Sequence, residues 1–259
     1  MYAQVAIKPN PLLRNGAYGI VMRGVQKCTR GCSSLRGRNK LPLCCIKLDT
    51  ATEPLCGSGR FLVPFLERGF DISGMDLSEE MLVKLKRKAP NAKVIQANII
   101  NYTVQEKFDY IFIPSGSVSL FTDMDMCQEI LRKMKELLLP SGKFVFSVDT
   151  VFDRCNEDVE YKVNDSVKTK EGYDLILKGK NHYDENSQTQ YSPSIYELYN
   201  GAELLQSETM DFQTHLYRYG EMEEYLREVG FKSIEVYSDY QKKPAVDDKC
   251  EMFIYECGI

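Results

Sequence analysis

The chain has 259 residues, of which 43% are hydrophobic and 27% charged, and its formal net charge is −4. This length predicts one elaborated domain rather than two large ones, and the composition is that of an ordinary globular protein. No run of about 18 apolar residues is present to span a bilayer, and the N-terminal residues lack the apolar segment of a secretory signal. We therefore expect no membrane partner and a cytoplasmic location.

The nine cysteines are odd in number and lie scattered among charged residues. Such a distribution predicts reduced thiols rather than a disulfide framework. Cys28 and Cys32, with the pair Cys44 and Cys45, do not match the ligand spacing of a zinc site, and no histidine lies near them in the sequence. We expect neither structural disulfides nor a bound metal.

Residues 1–50 differ from the rest of the chain in charge. They hold nine Lys and Arg against one acid, a net charge of +8, whereas residues 51–259 hold 24 against 36, a net charge of −12. A basic arm can attract nucleic acid, but this one lacks interleaved aromatics and regular periodicity. We expect an atypical, loosely folded leader, and leave open that it was never selected to fold. The acidic remainder disfavours a nucleic-acid partner.

From Ala51 to about residue 150, short apolar runs alternate with amphipathic stretches, as is typical of βαβ units in a mostly parallel sheet. Gly69 and Pro90 each end a helical pattern, and Ser78 begins one as a cap. In chain order we predict a strand ending near Pro54, a helix over 60–68, a strand ending at Asp76, a helix over 79–89, strands over 93–97 and 110–114, a helix over 125–138 and a strand over 143–148.

After Val148 the pattern changes to long polar-apolar alternations. These predict an antiparallel meander over residues 151–218, with strands over 159–168, 173–183, 190–199 and 202–212. Asn200 and Gly201 form a two-residue hairpin signal. A helix over 221–229, ended by Gly230, and strands over 232–240 and 251–256 would then complete the core sheet, so that residues 219–259 return to it.

Gly57 and Gly59 follow a predicted strand and open a helix, where the missing β-carbons let a ligand approach the backbone. Asp76 lies 17 residues beyond Gly59, at the end of the second strand, where a carboxylate can bind both ribose hydroxyls. An NAD-type oxidoreductase would use the same geometry, but its GxGxxG pattern requires glycine where this chain has Leu62. A set of plain turn residues also remains an alternative.

Five segments, EPLCGSGR, GMDLSEEML, QANIINY, FDYIFIPSGSVSLF and LLLPSGKFVF, together resemble the motif series of class I S-adenosylmethionine-dependent methyltransferases over residues 51–150. The resemblance implies an α/β fold with a Rossmann-like, doubly wound, mostly parallel seven-stranded sheet. The antiparallel meander would be inserted before the last helix and hairpin, as a substrate lid. The implied activity is methyl transfer from the cofactor S-adenosylmethionine to an O, N or C acceptor on a small molecule, with release of S-adenosylhomocysteine.

The same resemblance assigns residues to each part of the cofactor. Asp76 would bind the ribose. Asn98 stands where the family usually has Asp to meet the adenine amino group, and its carbonyl can accept the same hydrogen bond. The methionine and sulfonium part would be bordered by Glu53, Cys56, Gly57 and Gly59. The adenine would be flanked by Leu77, Met81 and Ile99, and the methyl-transfer channel would be edged by Pro114 and Ser115. A plain core position is the alternative for Ile99.

The catalytic residues stay open at this stage. His182 and His215, the only histidines, are weak candidates for a base near neutral pH, although a lone histidine in a strand is more often structural. Methyl transfer can also proceed by alignment of donor and acceptor alone. Members of the family usually carry an amphipathic N-terminal helix over the cofactor, which residues 1–50 do not resemble. A noncatalytic binding protein with a degraded methyltransferase fold is therefore the second hypothesis.

Overall fold

The computed structural model describes residues 50–103 and 106–259, so the predicted leader lies outside the described residues apart from Thr50. The described residues form two compact units, one comprising residues 50–153 and 215–259 and the other residues 154–214. The strands, in chain order, are β1 (Ala51–Pro54), β2 (Ile72–Asp76), β3 (Lys93–Gln96), β4 (Phe108–Ile113), β5 (Leu138–Asp149), β6 (Lys162–Lys168), β7 (Asp174–Gly179), β8 (His182–Asp184), β9 (Thr189–Tyr191), β10 (Ser194–Asn200), β11 (Glu203–Met210), β12 (Gln213–His215), β13 (Ser233–Tyr237) and β14 (Met252–Gly258). The helices are α1 (Leu62–Glu67), α2 (Glu79–Lys88), α3 (Met124–Leu137) and α4 (Glu221–Val229), with single 3-10 turns at Ser117–Leu120 and Val151–Asp153.

The larger unit is built on a seven-stranded sheet of order β13-β14-β5-β4-β1-β2-β3. Strands β1 to β5 pair in parallel. Strand β14 lies between β5 and β13 and is antiparallel to both. The predicted seven-stranded, mostly parallel sheet is therefore confirmed, as is the return of the C-terminal residues to complete it.

The central strands are buried on both faces, because helices cover both sides of the sheet. In β4, Ile111 and Ile113 belong to the core cluster formed with α3 and α4. Tyr110 and Phe112 belong to the opposite cluster, formed with α1 and α2. Such an apolar run with helices on both faces is the pattern of a doubly wound parallel sheet. The sheet thus holds its carboxyl-end loops on a rigid core.

The predicted helix starts and stops are mostly found where the sequence placed them. The Ser78 hydroxyl accepts a hydrogen bond from the Met81 amide at 3.3 Å and caps α2 as predicted. Gly230 ends α4 in the left-handed conformation, with φ at 93°. Helix α1 is shorter than predicted, because the residues before Leu62 form turns of the glycine loop.

Strand β5 begins earlier than predicted. The PSGK segment over residues 140–143 was expected to be a turn, but it lies within the strand. The pairing of β4 with β5 shifts register between Phe108 and Tyr110, so the irregular segment is absorbed as a register shift in the ladder. The register shift lies near the start of the two strands, and their carboxyl ends pair regularly, with Ile113 opposite Phe146.

Residues 162–215 form two sheets, of order β11-β10-β7-β6 and β12-β9-β8, rather than one meander. The predicted strands over 173–183 and 190–199 are wrong, because each is broken into two shorter strands. The first is interrupted at 180–181, between β7 and β8. The second is interrupted before Ser194, at Pro193, which has no amide hydrogen to donate to a neighbouring strand. The predicted hairpin between β10 and β11 is confirmed, but its two loop residues are Gly201 and Ala202, because Asn200 ends β10 and pairs with Glu203. The apolar interior of the smaller unit is centred on Leu175, Leu177, Tyr196 and Leu198.

Candidate functional site at the carboxyl edge of the sheet

The strand order reverses next to β1. From β1 the chain adds β2 and β3 on one side, whereas β4 and β5 lie on the other. Ligands of open α/β sheets bind outside the carboxyl ends of the strands at such a switch point. The loop after β1, over residues 55–61, and the loop after β4, over 114–116, both begin at this edge. The fold therefore places the glycine loop where a ligand is expected.

The glycine loop is tightly folded against its neighbours. The Cys56 amide donates to the Met75 carbonyl at 3.0 Å, which ties the loop to β2. Gly59 has φ at 76°, and a β-carbon there would lie 2.7 Å from Leu85 of α2. Leu55 also adopts a positive φ, of 61°, which is costly for a residue with a side chain. The loop thus needs glycine at 59 and holds Leu55 under backbone strain.

Asp76 joins the glycine loop to the end of β2. One carboxylate oxygen accepts from the Gly57 amide at 2.7 Å, and the other accepts from the Ser78 amide at 2.8 Å. A carboxylate has about four lone-pair sites, so each oxygen can accept a further hydrogen bond from a ligand hydroxyl. The structure therefore brings together Asp76 and Gly57, two of the residues predicted to contact the cofactor.

Glu53 is a buried acid in the interior of this edge, with 2% of its surface exposed. Burial raises the pKa of Glu53 well above 4.5. The hydrogen bond from the Leu62 amide lowers this pKa, whereas the negative charge of Asp76 raises it further. Its Oε2 atom has no hydrogen-bond partner. Buried polar atoms normally have partners, and a cationic donor such as an ammonium group would supply one. The Cys56 thiol beside it also has a raised pKa, through burial first and then Glu53 and Asp76.

The predicted adenine residues lie at the ends of β2 and β3. The Ala97 amide donates to the Asp76 carbonyl at 3.1 Å, and the Gln96 side chain donates to the Leu77 carbonyl at 3.2 Å, so the two strand ends are held together. Leu77 is 44% exposed. Asn98 is exposed too, and its side-chain oxygen accepts from the Ile100 amide at 3.0 Å.

Two further residues predicted to flank the adenine are less exposed. Met81 is partly buried in the first turn of α2. Ile99 is 6% exposed and belongs to the core cluster on the α3 side, which fits the alternative interpretation of it as a core residue. The assignment of both to the cofactor stays a prediction.

The loop after β4 contacts the end of β5 through groups that the sequence did not single out. The Gly116 amide donates to the Ser147 hydroxyl at 3.0 Å, and the Asp149 amide donates to the Ser119 hydroxyl at 2.8 Å. Ser115 is exposed and has φ at 65°, so the predicted channel residue sits in a strained turn. The polar residues Ser147 and Asp149 at the end of the apolar segment 144–148 were the available signal, since ligands of such sheets bind at the carboxyl ends of the strands.

Tyr240, from the segment after β13, also reaches this rim. Burial raises the pKa of Tyr240, whereas a hydrogen bond with the Ser147 side chain and the charge of Arg60 lower it, and the charge of Asp149 raises it. These influences place the phenol near all three residues. Tyr240 comes almost a hundred residues after Ser147, so sequence reasoning had no basis for joining them.

The two histidines belong to different units. His182, in the smaller unit, is exposed, with its Nδ1 atom 2.6 Å from Glu157. His215, in the larger unit, is buried, with its Nε2 atom 2.8 Å from Glu221 and its ring packed edge-on against Tyr217. Each histidine is thus engaged with a carboxylate, and a catalytic role for either stays a prediction.

In the part of the chain that the structure describes, no group of three or more His, Cys, Asp and Glu side chains could hold a metal ion. No helix among the described residues is both long and apolar enough to cross a membrane. A surface depression of about 400 Å³ lies along α2, away from the glycine loop, and is lined by Glu79, Leu82, Val83, Lys86, Arg87 and Val94.

Known proteins resemble this chain in sequence and in fold. Residues 53–142 match the family model described as a methyltransferase domain. The putative methyltransferase YqeM of Bacillus subtilis (strain 168) is 27% identical over 121 residues, which cover 41% of this chain and 49% of that protein. The glycine/sarcosine N-methyltransferase of Aphanothece halophytica is 25% identical over 213 residues, which cover 78% of this chain and 71% of that protein. The chain thus spans about half the length of the first of these relatives.

The crystal structure of a S-adenosylmethionine-dependent methyltransferase from Clostridium acetobutylicum ATCC 824 superposes with a TM-score of 0.70 at 16% identity. The superposition covers 95% of this chain and 97% of that one. It shows a shared fold, in agreement with the seven-stranded sheet described above. Residues 53–142 therefore resemble a methyltransferase domain, and the chain shares its fold with a S-adenosylmethionine-dependent methyltransferase.

Proposed function

We propose that the chain is an enzyme that transfers a methyl group from S-adenosylmethionine to an O, N or C atom of a small molecule and releases S-adenosylhomocysteine. The observation that carries the proposal is the arrangement of the glycine loop, Asp76 and the unsatisfied Glu53 at the switch point of the sheet. The match of residues 53–142 to a methyltransferase domain supports it.

The residues at this edge fit the parts of the cofactor. The Oε2 atom of Glu53 would accept a hydrogen bond from the ammonium group of the methionine part, which would also favour ionisation of this buried acid. The glycine loop lets the methionine chain approach the backbone. Asp76 would accept hydrogen bonds from the ribose hydroxyls, and the adenine would lie among Leu77, Met81 and Asn98. Bound S-adenosylmethionine supplies a methyl group activated by its positively charged sulfur.

The chain's own contribution is then alignment of the acceptor with that methyl group, which can supply much of the rate acceleration. The rim formed by Ser115, Gly116 and Asp149 is the surface we assign to the acceptor. A small-molecule acceptor is supported by the glycine/sarcosine N-methyltransferase among the relatives. The net charge of −12 over residues 51–259 disfavours a polyanionic acceptor.

The cytoplasmic location belongs to the same proposal. The described cysteines, Cys56, Cys127, Cys155, Cys250 and Cys257, are free thiols, which is consistent with a reducing compartment.

The two alternatives gain no support. Leu62, which stands where a nicotinamide-binding loop needs its third glycine, is fully buried in the core between α1 and the sheet. A noncatalytic role was motivated by the leader and by Asn98, and Asn98 keeps an exposed side chain at the expected strand end.

Calorimetric titration of the full chain with S-adenosylmethionine and S-adenosylhomocysteine tests the proposal. We expect both to bind, with no enhancement of NADH fluorescence on mixing. Slow formation of S-adenosylhomocysteine in the presence of a library of small acceptors would then establish catalysis. An absence of binding at millimolar ligand would contradict the proposed function, and binding without turnover on any acceptor would favour the noncatalytic alternative.

A further inference from the structure

Three carboxylates lie at the carboxyl edge of the central sheet. Glu53 in β1 and Asp76 at the end of β2 lie on the side that the proposed function gives to the cofactor. Asp149 ends β5, on the opposite side of the switch point, with β4 between it and β1. None of the proposed cofactor contacts uses Asp149, and it lies at the end of the edge that we assign to the acceptor.

Asp149 is fixed in place by its backbone. Its amide donates to the Ser119 hydroxyl at 2.8 Å, and its carbonyl accepts from the Tyr217 amide at 2.9 Å. The carboxylate lies directly against Gly116, since a β-carbon on that glycine would fall 2.4 Å from Asp149 Oδ1. Glycine at 116 therefore leaves room for the carboxylate beside the exposed Ser115. Asp149 itself is only half-buried, so a small ligand can reach it.

The hydroxyl groups of the same rim already take part in holding the loop. Ser147 accepts from the Gly116 amide and Ser117 donates to the Pro114 carbonyl at 3.0 Å. The carboxylate of Asp149, with several lone pairs, keeps acceptor capacity beyond any one partner. The rim thus offers a ligand a negatively charged acceptor of hydrogen bonds.

We propose that the methyl acceptor is a small amine and that Asp149 binds its charged nitrogen. The inference rests on the proposed function and narrows its acceptor class. A carboxylate only accepts hydrogen bonds, so it suits an ammonium group and repels acceptors that carry a carboxylate or phosphate at this point. The nitrogen is cationic both before it is deprotonated and after it is methylated, so the same carboxylate stabilises the bound acceptor and the bound product.

The transfer balances without a further reactant. The ammonium loses one proton to solvent, and the nitrogen lone pair then forms the bond to the methyl carbon. The methyl–sulfur bond breaks with its electron pair on sulfur, and the product nitrogen keeps the positive charge. Asp149 holds the nitrogen throughout and forms no covalent bond.

The experiment compares the wild-type chain with Asp149→Asn, which keeps the shape of the side chain and removes its charge. Asp125→Asn, an exposed acid on α3, is the matched control. The probes are pairs of equal size, ethanolamine against ethylene glycol and glucosamine against glucose. Turnover is read as S-adenosylhomocysteine formed, and acceptor binding is read by saturation-transfer NMR on the complex with S-adenosylhomocysteine.

We expect binding and turnover with amines alone. Asp149→Asn should weaken amine binding by at least about tenfold and change the affinity for S-adenosylhomocysteine by less than twofold, whereas Asp125→Asn should match wild type. If Asp149→Asn does not fold, Ser115→Lys places an opposing charge at the exposed rim and should weaken amine binding in the same way.

Contrary results separate the two proposals. Turnover of the alcohols, unchanged amine binding in Asp149→Asn or in the substitute Ser115→Lys, or no amine binding to the wild-type complex would overturn the inference and leave the proposed function standing. Failure of S-adenosylhomocysteine to bind the wild-type chain would overturn the proposed function and the inference with it.

Discussion

The Asp76 carboxylate accepts a 2.7 Å hydrogen bond from the backbone amide of Gly57. The bond joins the end of β2 to the loop after β1, across 19 positions of sequence. The acid expected to bind ribose is therefore also the group that holds the glycine loop in shape. Ligand affinity and local stability are coupled through this one side chain.

Asp76→Asn tests that coupling. The amide keeps one oxygen for a backbone partner but loses the charge and the second acceptor, and hydrogen bonds to charged groups contribute roughly 1.5 to 3 kcal/mol. We expect the affinity for S-adenosylhomocysteine to fall about 10- to 100-fold by calorimetry, together with a lower urea midpoint. Asp71→Asn, which removes an exposed acid paired with Lys93 at 2.8 Å, is the control and should change neither. Undiminished affinity in Asp76→Asn would remove the ribose assignment.

Glu53 predicts opposite pH dependences for stability and for ligand binding. Because its pKa in the folded chain lies above 4.5, the folded state holds more protons than the unfolded state between the two values. The stability of the unliganded chain should therefore fall as pH rises from about 4.5 through the folded pKa, and then level off. Affinity for S-adenosylhomocysteine should rise over the same window, since the ionised carboxylate binds the ammonium group.

Glu53→Gln should remove both trends. We expect this variant to unfold at a higher temperature than wild type at pH values above the folded pKa of Glu53, and to bind S-adenosylhomocysteine more weakly with little dependence on pH. Thermal melts and titrations between about pH 5 and 8 measure both. Parallel pH curves for the variant and wild type would show that another group is responsible, and Asp153, whose pKa burial raises to about 6, is the first to examine.

Gly59→Ala should lower stability more than Gly69→Ala. Both glycines have positive φ, of 76° and 82°, so both variants suffer the left-handed strain of roughly 1 to 2 kcal/mol. A β-carbon at 59 would also crowd Leu85 and Val63, at 2.7 and 2.9 Å, whereas nothing lies within 4 Å of one at 69. The difference between their urea midpoints isolates the packing of the loop against α2. Equal midpoints would mean that α1 and α2 shift to make room.

Tyr255→Phe should destabilise the core beside α4. The Tyr255 hydroxyl donates to Glu223 at 2.8 Å in a buried site, and its loss leaves a buried carboxylate short of a donor, at a cost of about 1 to 3 kcal/mol. Tyr237→Phe removes a similar bond to Glu235 that is exposed to solvent, so its effect should be much smaller. Chemical denaturation of both variants measures the contrast, which would vanish if water replaced the lost hydroxyl at Glu223.

The sequence predicted those parts of the site whose residues lie close together along the chain. Asp76 and Gly57 each follow a buried strand within one βαβ unit, so their meeting at one edge follows from the parallel topology. Asp149 and Tyr240 could not be placed in the same way. The position of Asp149 beside Gly116 depends on the register in which β4 pairs with β5, and the position of Tyr240 depends on the path of the chain after β13. The positive φ at Leu55 and Ser115 is contrary to the usual preference of both residue types, so no residue pattern indicated it.

The fold was predictable to a similar degree. Apolar runs and caps located the strands and helices of the larger sheet, whereas the alternating patterns over 173–183 and 190–199 each fit one long strand as well as two short ones. Pro193 was the local signal for one of the two breaks, since proline cannot donate within a ladder. The predicted leader, the domain boundaries and the lid role of the meander stay predictions.

A single bridge between Thr150 and Tyr217 joins the two chain segments of the larger unit that flank the smaller unit in sequence. The Val151 amide donates to the Tyr217 carbonyl at 3.2 Å, so the chain leaves the larger unit and rejoins it at hydrogen-bonded neighbours. The entropy of closing such an excursion grows only with the logarithm of its length. Segments of very different length can therefore be exchanged at this point with little effect on the stability of the sheet. The sheet of the larger unit therefore closes at Thr150 and Tyr217 whatever the length of the segment between them.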